Sequence, residues 1–493
     1  MSKRLLLVLI AFSLVAASPG TFPTQESQGF RKGVTVAGIR EHQAALQAIA
    51  DTNGGSRVAG ADGFDASAEY VHDKMVAAGY NVSYQEFEFL FVGDKTPPVL
   101  QRITAPAASY VDGIDFGTMS YSGSGDTTAP VTAVDLVLPP GPVPNTSTSG
   151  CEAADFSGFT AGHIALTQRG TCTFRTKTTN AFTAGASGII IFNEGQPGRT
   201  AVIFGTLSPP PVSGPSVGTT FALGQALANG VTNGPTGITA RLRTDTLAEV
   251  RTTRNVIAET PTGDSNHVVV VGAHLDSVTR GAGINDNGSG SATILEIAET
   301  YASQGRTPRN QLRFMWYGAE EFGLIGSTYY VNSLTQAERD RIELMLNFDM
   351  VGSPNFVRFV YDGDNSAFPV GPGVAAGPPG SALIEQVFVE YFDEMGLASA
   401  PTAFSGRSDY GRFIAVGIPA GGLFTGAEGA KTAAEAATYG GTAGQQYDPC
   451  YHLACDTYAN VSLTGLDQMS DAAAHAVLLF SKRNFEQAPL VTP

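Results

Sequence analysis

Charge is scarce in this chain, and positive charge is scarcer. Of 493 residues only 15% are charged, with 29 Lys and Arg against 45 Asp and Glu, a formal net charge of −16. An acidic chain of this kind is repelled by polyanions, which argues against nucleic acid and anionic membrane surfaces as partners. Cysteine numbers only four, and none forms a Cys-x-x-Cys pair, so a cysteine-built zinc site is not indicated. Past the first residues no stretch reaches about 18 uninterrupted apolar residues, the length a membrane span requires. Glycine (58) and proline (28) are plentiful but follow no period, which sets aside collagen-like and solenoid architectures. Hydrophobic residues at 43% are enough for a large core, and the length suits two or three domains.

The amino terminus reads as a separate module. Lys3 and Arg4 precede an apolar run from Leu5 to Val15, followed by the small residues Ala16-Ala17-Ser18. This is the order of a secretory signal peptide, residues 1–17, and places the mature protein outside the cytosol, extracellular or periplasmic, with no membrane contact after its removal. In an exported chain the four cysteines, Cys151, Cys172, Cys450 and Cys455, read as disulfides. Three pairings exist, and proximity in sequence favours 151 with 172 and 450 with 455.

Helical periodicity covers Ile39 to Ala50 and Gly63 to Ala78, and a strand pattern follows from Asn81 to Val92. Pro97-Pro98 opens a less regular region. From about 122 to 245, short β-like pieces (Val131 to Leu138, Ile164 to Leu166, Ile189 to Phe192) alternate with turn residues around one helix near Thr176 to Ala184. This block holds no cluster of His and carboxylates and reads as an inserted, β-rich domain. After residue 250 strands and helices alternate: strands at Asn255 to Glu259, His267 to Val271, Gln311 to Tyr317 and Leu344 to Phe348, and helices at Ala292 to Tyr301, near Thr335 to Ile342, Ser381 to Met395 and Leu466 to Lys482. The fold class is therefore α/β, a three-layer, mainly parallel sheet covered by helices, spanning 35–121 and 250–485 around the insert.

Chemistry-bearing residues sit in five short segments: Gly272-Ala273-His274-Leu275-Asp276, Gly283-Ile284-Asn285-Asp286-Asn287-Gly288, Gly318-Ala319-Glu320-Glu321, Asn347-Phe348-Asp349-Met350, and Cys450-Tyr451-His452-Leu453-Ala454-Cys455. Singly, each has a plain reading: a satisfied core histidine, a turn or helix-capping aspartate, two solvated glutamates. Asp349 is harder to dismiss, because an apolar strand runs straight into it and a buried carboxylate needs a partner. Together these groups end successive strands of one sheet and would meet at one rim. Two imidazoles and three carboxylates suit a pair of cations such as Zn²⁺, with a further carboxylate left to move a proton.

In their order, these segments resemble those of the secreted di-zinc aminopeptidases, the family of bacterial leucyl aminopeptidases and vacuolar aminopeptidase Y. The likeness runs from Arg251 to Lys482. It implies that His274 and Asp349 hold one zinc, Glu321 and His452 the other, and that Asp286 bridges the two. It implies Glu320 as general base, Tyr451 as donor to the oxyanion, Asp276 as a carboxylate orienting His274, Arg407 near the substrate, Phe424 in the side-chain pocket, and a cis peptide after Asp286. The region from Cys151 to Glu194, with Gly170-Thr171-Cys172-Thr173-Phe174, resembles a protease-associated domain that covers part of the active-site mouth and restricts substrate size. The implied partners are peptides with a free N-terminus, the implied preference is for large hydrophobic first residues, and a monomer is the simplest assembly. A glutamate-type carboxypeptidase and a one-zinc glutaminyl cyclase share such a fold; the Asn347-Phe348-Asp349-Met350 segment and the cysteine-flanked His452 favour the aminopeptidase.

Overall fold

The structure, a computed structural model, describes residues 23–490; the expected signal peptide lies outside them. Fourteen strands form one sheet. They are β1 (Asn81–Arg102), β2 (Ala108–Ser109), β3 (Phe116–Thr118), β4 (Gly125–Ala133), β5 (Ile164–Gln168), β6 (Gly188–Phe192), β7 (Ser216–Thr219), β8 (Gly234–Glu259), β9 (Asp264–His274), β10 (Asn310–Tyr317), β11 (Ile342–Phe348), β12 (Phe359–Tyr361), β13 (Ala400–Thr402) and β14 (Ala420–Phe424). Their order is β13-β12-β14-β11-β9-β10-β8-β4-β5-β6-β7-β3, with β1 antiparallel to β8. At the centre β14, β11, β9 and β10 run parallel, so their carboxyl ends share one rim.

The apolar run of β9 is buried on both faces, and its alternation sorts side chains into two layers. Val269, Val271 and Ala273 join Phe314, Trp316, Leu344 and Leu346 beneath helices Val36–Thr52, Asp62–Ala77, Gly288–Ser303 and Leu463–Lys482. Val268 and Val270 join Met315, Tyr317 and Met345 on the opposite face, covered by helices Ile325–Ser333 and Tyr410–Ala415. The three-layer α/β expectation is met. Among the described residues, no helix is long and apolar enough to cross a membrane.

Four local expectations need correction. Strand β1 does not stop before Pro97-Pro98; it continues to Arg102 across register shifts between Asp94 and Thr96 and between Thr96 and Val99. The prolines fall in the interrupted stretch, where no ladder N–H is required of them. Strand β4 ends at Ala133 rather than Leu138, because Asp135 turns the chain with φ 45°. The helix expected at Thr335 to Ile342 lies earlier, at Ile325–Ser333; Thr335 and Glu338 cap only a single turn, and Ile342 already begins β11. Finally, the β-rich unit begins before residue 122. Leu100 and Phe116 lie in its core with Val131, Ile164, Ile190 and Leu242, and β3 pairs with β7. The cause is the length of β1 and β8, which run from the catalytic sheet into the insert.

Helix Gly288–Ser303 packs its first turn against the end of β11. A Cβ on Gly290 would collide with the Phe348 carbonyl oxygen and the Asn287 side chain. Gly290→Ala should therefore cost about 1–3 kcal/mol of stability, the range for overpacking, read as an earlier denaturant midpoint in unfolding experiments.

Candidate active site

The four parallel strands deliver their chemistry where their hydrogen bonding ends. His274 closes β9, Glu320 and Glu321 follow β10 by three and four residues, and Asp349 follows β11 directly. Asp286 comes from the glycine-rich loop that leads into helix Gly288–Ser303, and His452 from the loop closed by the Cys450–Cys455 disulfide. The second disulfide joins Cys151 to Cys172 in the insert, so both expected pairings are present.

These six side chains meet in one place. His274 Nε2 is 3.3 Å from Asp286 Oδ1 and 3.3 Å from Asp349 Oδ1. His452 Nε2 is 3.2 Å from Asp286 Oδ2 and 3.1 Å from Glu321 Oε2. Two triads of possible metal ligands result, His274–Asp286–Asp349 and Asp286–Glu321–His452, and each uses a different oxygen of Asp286. Glu321 Oε1 and Asp349 Oδ1 are buried without a hydrogen-bond partner, a costly state unless a cation faces them. Burial pulls the His274 imidazole down, but the carboxylates of Asp349 and Glu320 outweigh it and hold its pKa well above the usual value. Burial acts the same way on His452, and Glu321 and Asp286 reverse it. The pocket is short of positive charge, and a nitrogen and oxygen donor set of this kind suits divalent zinc-like cations.

Glu320 lies in the same buried cluster outside those two triads and forms a third such group with His274 and Glu321; burial pushes its carboxyl well above the usual range, His274 opposing and Glu321 reinforcing. Tyr451 stacks on His452 with ring centroids 3.8 Å apart, and burial keeps its phenol well above its ordinary pKa. Arg407 donates to Tyr451 Oη at 3.1 Å and to Glu428 Oε1 at 2.7 Å. Phe424 lines a small cavity with Met350, Tyr361 and Ala427 beside the triads. Asp276 divides its work: its backbone carbonyl is 3.1 Å from His274 Nδ1, while its carboxylate accepts from the amides of Glu320 and Glu321 at 3.1 and 3.3 Å. The carboxylate itself stands 3.7 Å from the ring nitrogen.

Comparison with known proteins bears on this geometry. Residues 255–477 match peptidase family M28, and residues 128–227 match the PA domain. An aminopeptidase of Pseudomonas aeruginosa is 47% identical over 435 residues, 87% of this chain and 78% of that protein. This chain belongs to peptidase family M28. Leucine aminopeptidase 2 of Trichophyton rubrum is 40% identical over 450 residues, 91% of this chain and 83% of that one. Among solved structures, BSAP, a zinc aminopeptidase from Bacillus subtilis, aligns with a TM-score of 0.64 at 25% identity over 90% of this chain and 94% of its own.

The clustered side chains are held by further residues to which the sequence reading gave no role. Arg57, fully buried, donates to the carbonyls of Leu275, Ala282 (2.8 Å) and Gly283 (2.7 Å), tying the end of β9 to the glycine-rich loop. Asp456 accepts from the amides of Asn285 (2.8 Å) and Asp286 (2.9 Å), and Asp448 accepts from the Asn285 side chain at 2.6 Å. Ser408 donates to Asp349 Oδ2 at 2.6 Å. The peptide bond Asp286-Asn287 is cis. Ala319, Met350 and His452, each beside or among the clustered groups, occupy the left-handed region at φ 56°, 51° and 58°, a cost borne only where surroundings impose it. Replacing Arg57 with Met strands three buried carbonyls. A loss of about 3–5 kcal/mol in urea unfolding is expected, as for a broken buried charge network, with partial recovery in Arg57→Lys.

Proposed function

We propose that this M28 peptidase is an exported aminopeptidase that uses two zinc ions and removes large hydrophobic residues from peptide N-termini. The observation that carries the reading is the pair of ligand triads meeting at the two oxygens of Asp286. His274 and Asp349 would hold one zinc, Glu321 and His452 the other, with Asp286 between them. The relatives named aminopeptidases and the zinc aminopeptidase of Bacillus subtilis support it. Two disulfides and the leading Lys3-Arg4-Leu5 segment support export.

When bound, a zinc pair polarises the scissile carbonyl and makes a water molecule acidic enough to attack it. Glu320 takes that water's proton and returns it to the departing amine. Arg407 has only donors to offer, so Tyr451 oxygen accepts from it and the phenol's own proton is free to point at the developing oxyanion. Glu320 and Asp349 set negative charge around the substrate's α-ammonium, which restricts cleavage to chain ends. Asp276 fixes the approach of both glutamates through their amides and of His274 through its Nδ1. Met350, Tyr361, Phe424 and Ala427 give the small cavity an apolar wall beside its charged groups, which suits a leucine-like first side chain.

Metal analysis of the purified protein should give two zincs per chain, with leucyl anilide hydrolysed and its N-blocked counterpart left intact. One zinc, or cleavage of the blocked substrate, would overturn the reading. Glu320→Gln should retain both metals while kcat falls about 10²–10⁴-fold, the span of general-base contributions. His452→Ala should retain one zinc by the same metal analysis.

A further inference from the structure

Two cavities meet at the reacting side chains. Glu320, Glu321, Arg407, Tyr451 and His452 line both of them. The small one lies around Phe424, and the large one, about 420 Å³, runs between the catalytic loops and the insert. A peptide whose first side chain fills the small cavity must lead the rest of its chain into the large one, because the scissile carbonyl sits at their junction. The far wall of the large cavity is made by Asp94, Thr118, Phe204 and Arg280.

Asp94 and Arg280 are the two charged side chains of that wall. Arg280 is its one guanidinium, and it stands 2.8 Å from Asp112 Oδ2 but 3.5 Å from Asp94 Oδ2, with its guanidinium carbon 5.1 Å from the Phe204 ring centre. Asp112 thus takes the closer pair, and Asp94 is only partly neutralised. Behind the wall Asp245, which also acts on Asp94, lies 3.9 Å from Arg243, so Asp94 has no cation of its own and shares Arg280 with Asp112. The register shift between Asp94 and Thr96 is a bulge, a device that redirects side chains next to functional clefts. Burial, opposed by Thr118 and Arg280 and reinforced by Asp112, lifts the Asp94 carboxyl to about 6, so it is ionised at neutral pH and above.

We propose that Asp94 is a specificity residue: it draws a lysine or arginine that follows the removed residue, at the second or third position of the substrate. The apolar stems of these side chains fit along Phe204 and Leu247, and their cationic ends complete the charge of the far wall. The proposal rests on the aminopeptidase reading above and adds the chemistry of the leaving chain to it. Asp94 touches none of the reacting atoms, so the anilide substrate, whose leaving group carries no such side chain, reports the basal reaction independently.

The test compares Leu-Lys-Ala-amide, Leu-Ala-Lys-amide and Leu-Glu-Ala-amide at pH 8 with the full chain and its isosteric Asp94→Asn variant. The expected result is a kcat/KM advantage of about tenfold for one of the lysine peptides over the glutamate peptide, reduced to within about twofold in the variant, with leucyl anilide turnover unchanged in both. An equal preference in wild type and variant, with normal anilide turnover, would overturn the role of Asp94. So would an advantage of the glutamate peptide that survives the substitution, since that pattern assigns the wall to Arg280 instead. Failure of the wild-type protein to cleave the anilide at all would instead sink the aminopeptidase reading itself.

Discussion

Asp286 presents one carboxylate oxygen to each of two imidazoles, and most of what surrounds it exists to make that possible. A carboxylate at a junction of this kind has no freedom to rotate toward solvent or toward one partner without abandoning the other. Its backbone is therefore held from several directions: Asp456 accepts its amide, Asp448 grips the neighbouring Asn285 side chain, and Arg57 fastens the loop that carries it. On the other side Asn287 caps the helix through Gly290 N at 2.8 Å and accepts from Met350 N at 3.1 Å, binding the loop to the turn that carries Asp349. One helix start thus sets the distance between Asp286 and Asp349. The short disulfide loop presents His452, and its closing segment supplies Asp456, so the second imidazole and the support of the shared carboxylate move as a unit.

Holding so many acids together runs against the electrostatics of a buried site. Asp276, Asp286, Glu320 and Asp349 are all buried, and the buried guanidinium of Arg57 directs its hydrogen bonds to carbonyls rather than to these acids. The fold offsets part of this cost with backbone amides, as where Asp276 accepts from two consecutive N–H groups after β10. The remainder is a demand for positive charge at the centre. Three non-glycine residues in the left-handed region crowd this rim, which places the cost of the arrangement in the backbone as well as in charge.

The sequence made much of this legible, and for a physical reason. Apolar strands such as Val268 to Val271 need no context to be recognised as buried, and a carboxylate or imidazole directly after such a run must be used by something. Asp349 was readable on that ground, and His274 and the Glu320-Glu321 pair only once they were taken together with it as groups ending strands of one sheet. Asp286 and His452 sit in loops and depended on resemblance to a known family. The roles of Arg57, Asp448 and Asp456 were not legible: Arg57 and Asp456 act through backbone groups and Asp448 through the Asn285 side chain, all more than 100 residues away, and such contacts leave no local pattern. The overlong β1 was missed because Pro97-Pro98 is a strong breaker in isolation; only its pairing with β8, which tolerates a bulge, keeps the strand going.

That same pairing decides how the insert can matter to the chemistry. A domain joined by flexible linkers would cover the mouth of the site loosely. Here β1 and β8 pair from Asn81 and Glu259, in the catalytic sheet, to Arg102 and Ala240, the latter in the core of the insert. Twisting the insert against the catalytic sheet would shear a continuous hydrogen-bonded ladder, so the two halves of the large cavity keep a fixed spacing. The ladder shifts register twice, between Asp94 and Thr96 and between Thr96 and Val99, and the first shift lies beside Asp94, which lines the cavity. Rigidity along the ribbon and a local departure at Asp94 are therefore complementary: the first fixes the width of the cleft, and the second supplies a side chain within it.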